Sequence, residues 1–341
     1  MATLALAMVV SVFRHNDVLM SSGVEPHQCS QSASPLVRAE VRERGLDQRL
    51  LLMHQVMLGD QQRLEAYDRA LEKAIEPGDV MVDVGAGTLI LSFLSLRHGA
   101  SHVYAIEADS HMADLAAQIA ADNGMADRVT IVRGDARAVL LPQKADVLVS
   151  EMMGNLGPEE EMAEILQVAS RRFLRPGGKV VPQRLTTKLQ AIAFDTEGWG
   201  VWRRDFRGFS LAAVRDYASP GAQLHFFSRP PTLLSNAMSV ADNLLGQSSR
   251  QPGGCHRLEI TEAGNAQAII MYFSATLWPG IELANFPSYP GCNWTVWVWP
   301  IQHTDVARGD VLLVDIKRPA MVRFATEWRL DCRVGRNTRG Q

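Results

Sequence analysis

Between residues 80 and 181 the chain alternates short apolar runs with helical patterns, and this alternation limits the possible folds more than any other feature. The apolar runs cover residues 80–84, 103–106, 129–132, 147–149 and 180–181, with helical spacing over 91–97, 112–123 and 161–173 between them. Strands separated by helices of this length form a parallel sheet covered on both faces. We therefore predict an α/β, Rossmann-like domain.

After Pro182 the residue pattern no longer alternates between strands and helices. Short β-rich segments follow, over residues 185–194, 222–227, 268–278, 294–299 and 311–316. They predict a mostly antiparallel β domain with a boundary near residue 183. Before the α/β part, residues 36–75 have helical spacing and residues 18–35 are irregular. The predicted division is an N-terminal segment 1–50, an α/β domain 51–183 and a β domain 184–341.

Composition excludes several classes of function. The 341 residues carry a net charge of −3 and contain no long Lys/Arg run, so we expect no nucleic-acid partner. The four cysteines form no CxxC pair, which indicates neither a disulfide framework nor a metal site. The apolar start, residues 1–13, has no preceding basic region and is too short to span a bilayer. We expect a cytoplasmic protein without a membrane partner.

A glycine-rich turn marks a candidate cofactor site. Residues 83–88, which include Asp83, Gly85 and Gly87, follow the first strand and open a helix. Glycines there allow close approach of the backbone to a ligand. Glu107 ends the next strand and can accept hydrogen bonds from ribose hydroxyls, and Asp135 follows the third strand, where it can receive an adenine amino group.

Two other interpretations compete with this cofactor site. Glu107 and Asp135 could be solvated loop acids with no ligand. The turn could also bind NAD(P), but the third glycine of the dinucleotide fingerprint would fall at about Ile90 and is absent.

A pair of acids follows the fourth strand. Glu151 and Glu160 are nine residues apart, and Gly154, Gly157 and Pro158 lie between them. These residues prevent one continuous helix and favour a hairpin-like loop that brings the two carboxylates together. The alternative is an acid cluster at the N-terminus of the following helix, stabilised by its dipole, which would account for Glu159 and Glu161.

Two nearby carboxylates favour a cation between them. A guanidinium is planar, keeps its charge because its pKa is about 12.5 or more, and offers five N–H donors. Carboxylates that bind two of its nitrogens leave the third more nucleophilic, so attack on a sulfonium methyl depends on positioning and electrostatics. We predict Glu151 as the main clamp and Glu160 as the second clamp and a candidate proton acceptor.

These motifs resemble known families. Residues 80–107 are similar to the first motif of class I methyltransferases, which implies S-adenosyl-L-methionine as cofactor. They depart from it at Leu89, where many such enzymes have glycine, and we expect this leucine to narrow the pocket. From about residue 50 to 330 the chain resembles the protein arginine methyltransferases, because Ser150–Gly154 with Glu160 is similar to their double-glutamate loop.

The resemblance assigns further roles. Residues 54–63 are similar to the family's cofactor-capping helix, so His54 would line the cofactor, Arg63 would pair with its carboxylate, and Met57 would border the methyl acceptor. Trp294 would form a wall of the acceptor pocket. The β domain would be barrel-like, and residues 202–220 would form a helical dimerisation arm, which implies a homodimer.

Two departures affect the acceptor pocket. The segment where the family has paired tyrosines reads Arg-Gly-Leu-Asp-Gln over residues 44–48. The family's loop histidine is replaced by Asn293, which can hydrogen-bond Asp60 but cannot carry a proton. Three hypotheses stay open: methylation of arginine in a protein or peptide, methylation of free arginine or another small guanidine or amine, and an inactive binding subunit with a methyltransferase fold.

Overall fold

The structure is a computed structural model that describes residues 48–194, 205–211, 213, 221–319 and 325–335. The predicted N-terminal segment, except its last three residues, lies outside the described residues. So does most of the predicted arm 202–220, of which the hairpin β7 (Asp205–Phe206) and β8 (Phe209–Ser210) is described.

Within the described residues, two helices precede the first sheet. Helix α1 (Gln48–Gly59) and helix α2 (Gln61–Ala74) are separated by Asp60, whose carboxylate accepts the Arg63 N–H at 3.0 Å and caps α2. Such a cap satisfies a backbone donor that the helix itself cannot pair. The cap also fixes the direction in which α2 leaves α1.

The first sheet contains the predicted parallel strands. They are β1 (Val80–Val84), β2 (His102–Glu107), β3 (Val129–Arg133), β4 (Ala145–Ser150) and β5 (Leu174–Val181), in the order β3-β2-β1-β4-β5. Helices α3 (Ile90–Arg97), α4 (Ser110–Asp122) and α5 (Met162–Phe173) connect them. The strand order reverses beside β1, and ligands bind at the carboxyl ends of strands at such a point.

Strand β5 differs in detail from the prediction. The sequence predicts a turn over residues 175–178 followed by a strand at 180–181. In the structure the strand begins at Leu174, and its pairing with β4 jumps from Ala145–Leu174 to Val147–Lys179. The Arg-Pro-Gly-Gly segment therefore bulges out of a strand, with Gly177 at φ +78°.

The second half of the chain is antiparallel. Its strands are β6 (Arg184–Ala193), β9 (Gln223–His225), β10 (Thr232–Leu233), β11 (Met238–Leu244), β12 (Gly254–Glu259), β13 (Gly264–Trp278), β14 (Ile281–Ala284), β15 (Val296–Val306), β16 (Val311–Lys317) and β17 (Arg329–Gly335). One sheet has the order β10-β6-β13-β15-β9, with β11 beside β6 and β14 beside β13, and another has the order β12-β16-β17.

The predicted fold class is confirmed as a parallel Rossmann-like sheet followed by antiparallel sheets. A closed barrel is not present in the described part of the chain, because the larger sheet has free edges at β10 and β9. The apolar contacts of both halves meet: Phe273 and Trp294 of the second half belong to the same buried cluster as Val82 and Leu148 of the first. None of the helices that the structure describes is long and apolar enough to cross a membrane.

Candidate active site

The glycine turn lies where the sequence places it, at the end of β1. Gly85 and Gly87 have φ of +76° and +49°. A Cβ on Gly87 would lie 2.5 Å from His54 Cε1, and one on Gly85 would lie 2.9 Å from the sulfur of Met152. The turn therefore needs glycine for close packing as well as for its conformation. These contacts bring α1 and the segment after β4 against the turn.

Leu89, just before α3, has a left-handed φ of +66° and is fully buried. This conformation costs a residue with a side chain about 1–2 kcal/mol. Burial of a leucine stabilises by a comparable or larger amount, about 1.5–3 kcal/mol. The strain is therefore offset by packing, and a contact between Leu89 and a cofactor stays a prediction.

The predicted ribose and adenine acids have different surroundings. Glu107 accepts the N–H groups of Gly87 and Asp109, each at 2.9 Å, so its carboxylate faces the glycine turn. Asp135 is held by the guanidinium of Arg137 at 2.6 Å, which lowers the pKa of this carboxyl, and Arg137 also reaches Glu161 at 3.3 Å. Arg137 is thus paired with the acid that was predicted to receive the adenine amino group of the cofactor.

Asp83 is a buried acid beneath the turn. One of its oxygens accepts the Ser92 hydroxyl at 2.7 Å, and the other has no hydrogen-bond partner. Burial raises the pKa of Asp83 to about 7. Its position and its unpaired oxygen are compatible with the predicted role in supporting a ligand above the turn.

Glu151 lies at the end of β4, the strand that pairs with β1 on the side opposite β2. Val84 and Ser150 are register partners in neighbouring parallel strands, so Glu151 follows β4 directly beside the glycine turn. Its carboxylate receives Arg63 Nη1 at 2.9 Å and the Met153 N–H at 3.1 Å. The side chains of Arg63 and Glu151 are only 4% and 14% exposed, which strengthens their ion pair relative to a surface pair.

The Arg63 side chain has two further contacts. Its Nη2 donates to the carbonyl of Met57 at 2.5 Å, and its guanidinium lies 4.7 Å from the ring centroid of Trp294. The Trp294 indole N–H donates to the Met153 carbonyl at 2.8 Å. A cation over a tryptophan face is favourable, more so when water is excluded. Arg63 therefore contacts α1, Trp294 and the loop from Glu151 to Glu160 that follows β4, which we call the acidic loop.

The side chains of His54 and Met57 lie on α1 beside this group. Both residues are partly exposed. His54 packs on Gly87, and burial, with Arg63 as a second cause, lowers the pKa of its imidazole. His54 is therefore neutral near pH 7.

The predicted hairpin-like loop after Glu151 is confirmed. Gly154 and Gly157 exchange backbone hydrogen bonds of 3.1 and 3.0 Å, and a one-turn helix (Pro158–Glu160) follows. The loop therefore folds back on itself within four residues. The side chain of Glu160 lies outside the described part of the structure, so its predicted place beside Glu151 stays a prediction.

The alternative explanation of Glu159 as a helix-terminal acid is wrong. Helix α5 begins at Met162, and the Glu159 carboxylate instead accepts the Leu156 N–H at 2.7 Å and the Trp297 indole N–H at 2.8 Å. Burial raises the pKa of Glu159 to about 7. This acid anchors the loop.

Further hydrogen bonds attach the loop to the second half of the chain. Asn155 Oδ1 accepts the Thr295 N–H at 2.8 Å, and Asn285 donates to the carbonyls of both Asn155 and Thr295, each at 2.8 Å. Asn285 is fully buried, so these contacts replace hydrogen bonds to water. The shape of the acidic loop thus depends on the antiparallel sheet.

The prediction that Asn293 hydrogen-bonds Asp60 is wrong. The Asp60 carboxylate accepts the Tyr289 hydroxyl at 2.9 and 3.1 Å, besides the Arg63 N–H. Asn293 Oδ1 is buried without a hydrogen-bond partner. A tyrosine four residues earlier takes the place that the sequence assigned to the asparagine, because the loop between Phe286 and Trp294 folds Tyr289 onto the α1–α2 junction.

Comparison with known proteins finds a similarity to methyltransferases in the first half of the chain. The family described as "Methyltransferase domain" matches residues 81–178. "Probable histone-arginine methyltransferase 1.4" of Arabidopsis thaliana is 45% identical over 135 residues, which cover 39% of this chain and 25% of that protein. "Probable histone-arginine methyltransferase CARM1" of Oryza sativa subsp. indica is 38% identical over 192 residues, 53% of this chain and 35% of that protein.

Similarity to one protein arginine methyltransferase covers most of the chain. "Protein arginine N-methyltransferase 1" of Chlamydomonas reinhardtii is 29% identical over 254 residues, 72% of this chain and 73% of that protein. The chain spans about a quarter to a third of the length of the first two plant relatives.

Solved structures of arginine methyltransferases share the fold. "Trypanosoma brucei PRMT1 enzyme-prozyme heterotetrameric complex with AdoHcy" has a TM-score of 0.69 at 20% identity and covers 85% of this chain and 94% of that one. "Arabidopsis Thaliana Protein Arginine Methyltransferase 10", in an open conformation, has a TM-score of 0.68 at 21% identity and covers 83% of this chain and 93% of that one. The likeness in fold to these solved structures therefore extends well beyond the matched segment 81–178.

The structure brings most of the predicted site together and adds residues that the sequence did not reveal. His54, Arg63, the glycine turn, Glu107, Glu151 and Trp294 surround one end of the parallel sheet. The residues missed are Glu159, Tyr289, Asn155 and Arg137. For Glu159 and Arg137 a signal existed, since each is an extra charge beside a predicted site acid, whereas Tyr289 had none.

Proposed function

We propose that the chain is an S-adenosylmethionine-dependent methyltransferase that acts on a guanidino nitrogen of arginine in a protein or peptide. The observation that carries the proposal is the position of Glu151: a largely buried carboxylate at the end of β4, beside the glycine turn at the end of β1. A carboxylate there can hold a cation next to the cofactor. The relatives' names support arginine as that cation.

The residues at the turn fit the proposed cofactor. Gly85 and Gly87 leave room for a ligand at the backbone, Glu107 offers a carboxylate for ribose hydroxyls, and Arg63 offers a buried cation for a carboxylate. His54 would close the turn from the side of α1. S-adenosylmethionine, when bound, supplies a methyl group attached to a sulfonium, and it carries the carboxylate that Arg63 would hold.

Glu151 keeps the capacity to bind a guanidinium. An ionised carboxylate has about four lone-pair sites, and Arg63 and the Met153 N–H occupy two of them. The remaining sites can accept N–H groups of a substrate arginine. The positive charge of Arg63 already balances the negative charge of Glu151. A second acid is therefore needed to balance the substrate cation next to the sulfonium, and we propose Glu160 for this role.

The chain's own groups limit where the substrate proton goes. Burial, followed by the nearby Cys292 and Asp60, raises the pKa of Tyr289 far above its usual range, so this phenol stays protonated and donates to Asp60. Asn293 has no titrating group. We therefore propose that Glu160 or water accepts the proton, while Trp294 forms a wall of the acceptor pocket and Asn293 and Met57 contact the acceptor.

The proposal is tested with two acceptors side by side. The purified chain is incubated with isotope-labelled S-adenosylmethionine and either an arginine-rich peptide or free L-arginine, and the products are analysed by mass spectrometry. A gain of one or two methyl masses on the peptide supports the proposal. A gain on free arginine alone would assign the site to a small guanidine instead.

Absence of transfer to any guanidine, with cofactor still bound in calorimetry, would contradict the proposal. It would favour the inactive binding subunit. The Glu151→Gln variant is assayed in parallel, because transfer that survives this change does not use the proposed clamp.

Three further assignments belong to this proposal. The methyl donor is bound by a domain over residues 51–183 and the acceptor by a domain over residues 184–341. The chain forms a homodimer through residues 202–220, which sedimentation of the intact chain and of a variant lacking this segment would test. The protein acts in the cytoplasm, which fractionation of cells would test.

A further inference from the structure

A tyrosine and a buried aspartate join two segments of the site that are 229 residues apart in the sequence. The Tyr289 hydroxyl lies 2.9 Å from one oxygen of Asp60 and 3.1 Å from the other. Asp60 is fully buried and accepts one further hydrogen bond, from the Arg63 N–H. A buried carboxylate requires such partners, because an unpaired one carries a large desolvation cost.

The same two segments meet at two other points. The Arg63 guanidinium lies over the ring of Trp294 at 4.7 Å, and a Cβ on Gly291 would lie 3.9 Å from the carbonyl oxygen of Gly59. The loop from Tyr289 to Trp294 is therefore packed along the junction of α1 and α2. Of these contacts, the Tyr289 hydroxyl supplies the hydrogen bond that fixes the loop in register with the helix cap.

The Asp60 cap of α2 holds the backbone of Arg63, the residue proposed to bind the cofactor carboxylate. Arg63 is in the first turn of α2, and the Asp60 carboxylate holds its backbone N–H. The direction of the Arg63 side chain toward Glu151 depends on that turn. Since the phenol and the backbone N–H share one carboxylate, loss of the phenol leaves Asp60 underpaired and free to turn toward water.

We propose that Tyr289 is a positioning residue of the site: its hydroxyl holds Asp60, and through this cap it keeps Arg63 aimed at Glu151 and Trp294 seated on Arg63. The inference rests on the proposed function, in which Arg63 binds the cofactor carboxylate. Tyr289 takes no part in proton transfer. It acts through the order of the first turn of α2.

The test compares Tyr289→Phe with Tyr272→Phe. Each variant removes only a hydroxyl. The Tyr272 hydroxyl donates to the Gln190 side chain at 3.0 Å inside the antiparallel sheet, away from the glycine turn. Amide hydrogen exchange over residues 61–67 is measured in both variants without ligand, and the dissociation constant for S-adenosylmethionine is measured by calorimetry. Thermal midpoints show whether both variants fold.

We expect Tyr289→Phe to exchange the first-turn amides at least several-fold faster and to bind the cofactor about tenfold more weakly, in line with the loss of a hydrogen bond to a charged group. Tyr272→Phe should change neither. Asp60→Asn keeps an oxygen for both donors, so combining it with Tyr289→Phe should cost less than the sum of the two changes.

Two results distinguish failure of the positioning role from failure of the proposed function. If Tyr289→Phe leaves exchange and cofactor affinity as Tyr272→Phe does, the positioning role is overturned. If the hydroxyl affects both quantities as expected but the unmodified chain methylates no guanidine, the proposed function fails and the positioning role stands.

Discussion

The indole N–H of Trp297 donates to the carboxylate of Glu159 at 2.8 Å, across 138 residues of sequence. The same carboxylate accepts the Leu156 N–H at 2.7 Å, and Gly154 lies so close that a Cβ there would be 2.7 Å from Glu159 Oε2. The acidic loop is therefore folded around one of its own acids. This arrangement makes the loop sensitive to the protonation of Glu159.

Glu159 should make stability depend on pH. Its pKa is about 7 in the folded chain against 4.5 for an unperturbed glutamate, so the folded state binds the proton more tightly. The resulting stabilisation is complete below pH 4.5 and is lost as pH rises through 7. We expect the free energy of unfolding of the unmodified chain, relative to Glu159→Gln, to fall by about 2–3 kcal/mol between pH 5 and pH 8.

Urea unfolding at the two pH values checks this difference. Asp83 also has a pKa raised to about 7, but it is present in both proteins, so its effect cancels in the comparison. A difference between the two proteins that does not change with pH would show that Glu159 is charged in the folded chain at both values.

Replacement of Glu151 by glutamine should abolish methyl transfer. The amide keeps an oxygen for Arg63 but loses the charge that holds a guanidinium, and removal of one such electrostatic contact lowers kcat by about 10²–10³-fold. The dissociation constant for S-adenosylmethionine should change little. Glu72→Gln, on the exposed face of α2, is the control for loss of a glutamate charge. Activity within a few-fold of the unmodified chain would remove the carboxylate clamp.

Arg63→Ala should weaken cofactor binding about tenfold or more, because a buried charge-assisted contact is removed. Glu151 would also lose its ion-pair partner, so kcat should fall as well. Arg69→Ala, at an exposed position of the same helix, is the matched control. Titration calorimetry measures both variants, and equal dissociation constants for them would show that α2 does not contribute to the cofactor site.

Gly87→Ala should weaken cofactor binding through a collision as well as through backbone strain. The added Cβ would meet His54 Cε1 at 2.5 Å, so the imidazole of His54 must move away from the turn. Gly124→Ala isolates the strain, since Gly124 has φ +65° and no atom within 4 Å of an added Cβ. We expect both variants to lose about 1 kcal/mol of stability. Only Gly87→Ala should lose cofactor affinity, and equal affinities would separate His54 from the site.

The parts of the fold that the sequence predicted are those specified by local pattern. Apolar runs and helical spacing placed β1 to β4 and α3 to α5 within one or two residues of their observed bounds. The same pattern placed Glu151 and the glycine turn at adjacent strand ends, because parallel strands present their carboxyl ends on one edge.

The parts that the sequence did not predict depend on contacts between distant segments. Tyr289 reaches Asp60, and Trp297 reaches Glu159, through the packing of the antiparallel sheet on the loop, and no periodicity records such a contact. Arg137 was overlooked for a different reason: it lies two residues from Asp135, where an arginine reads as an exposed loop cation until its ion pair is seen.

The hydrogen bonds from Asn285, Thr295 and Trp297 make the shape of the loop that follows β4 depend on the second half of the chain. A shortened chain that stops after β5 would lack these hydrogen bonds, so the loop that follows β4 would lose its shape. If the proposed function holds, selectivity for the methyl acceptor depends on this antiparallel half. Under that proposal, exchanging the half between relatives would alter which guanidines are recognised and leave the methyl donor the same.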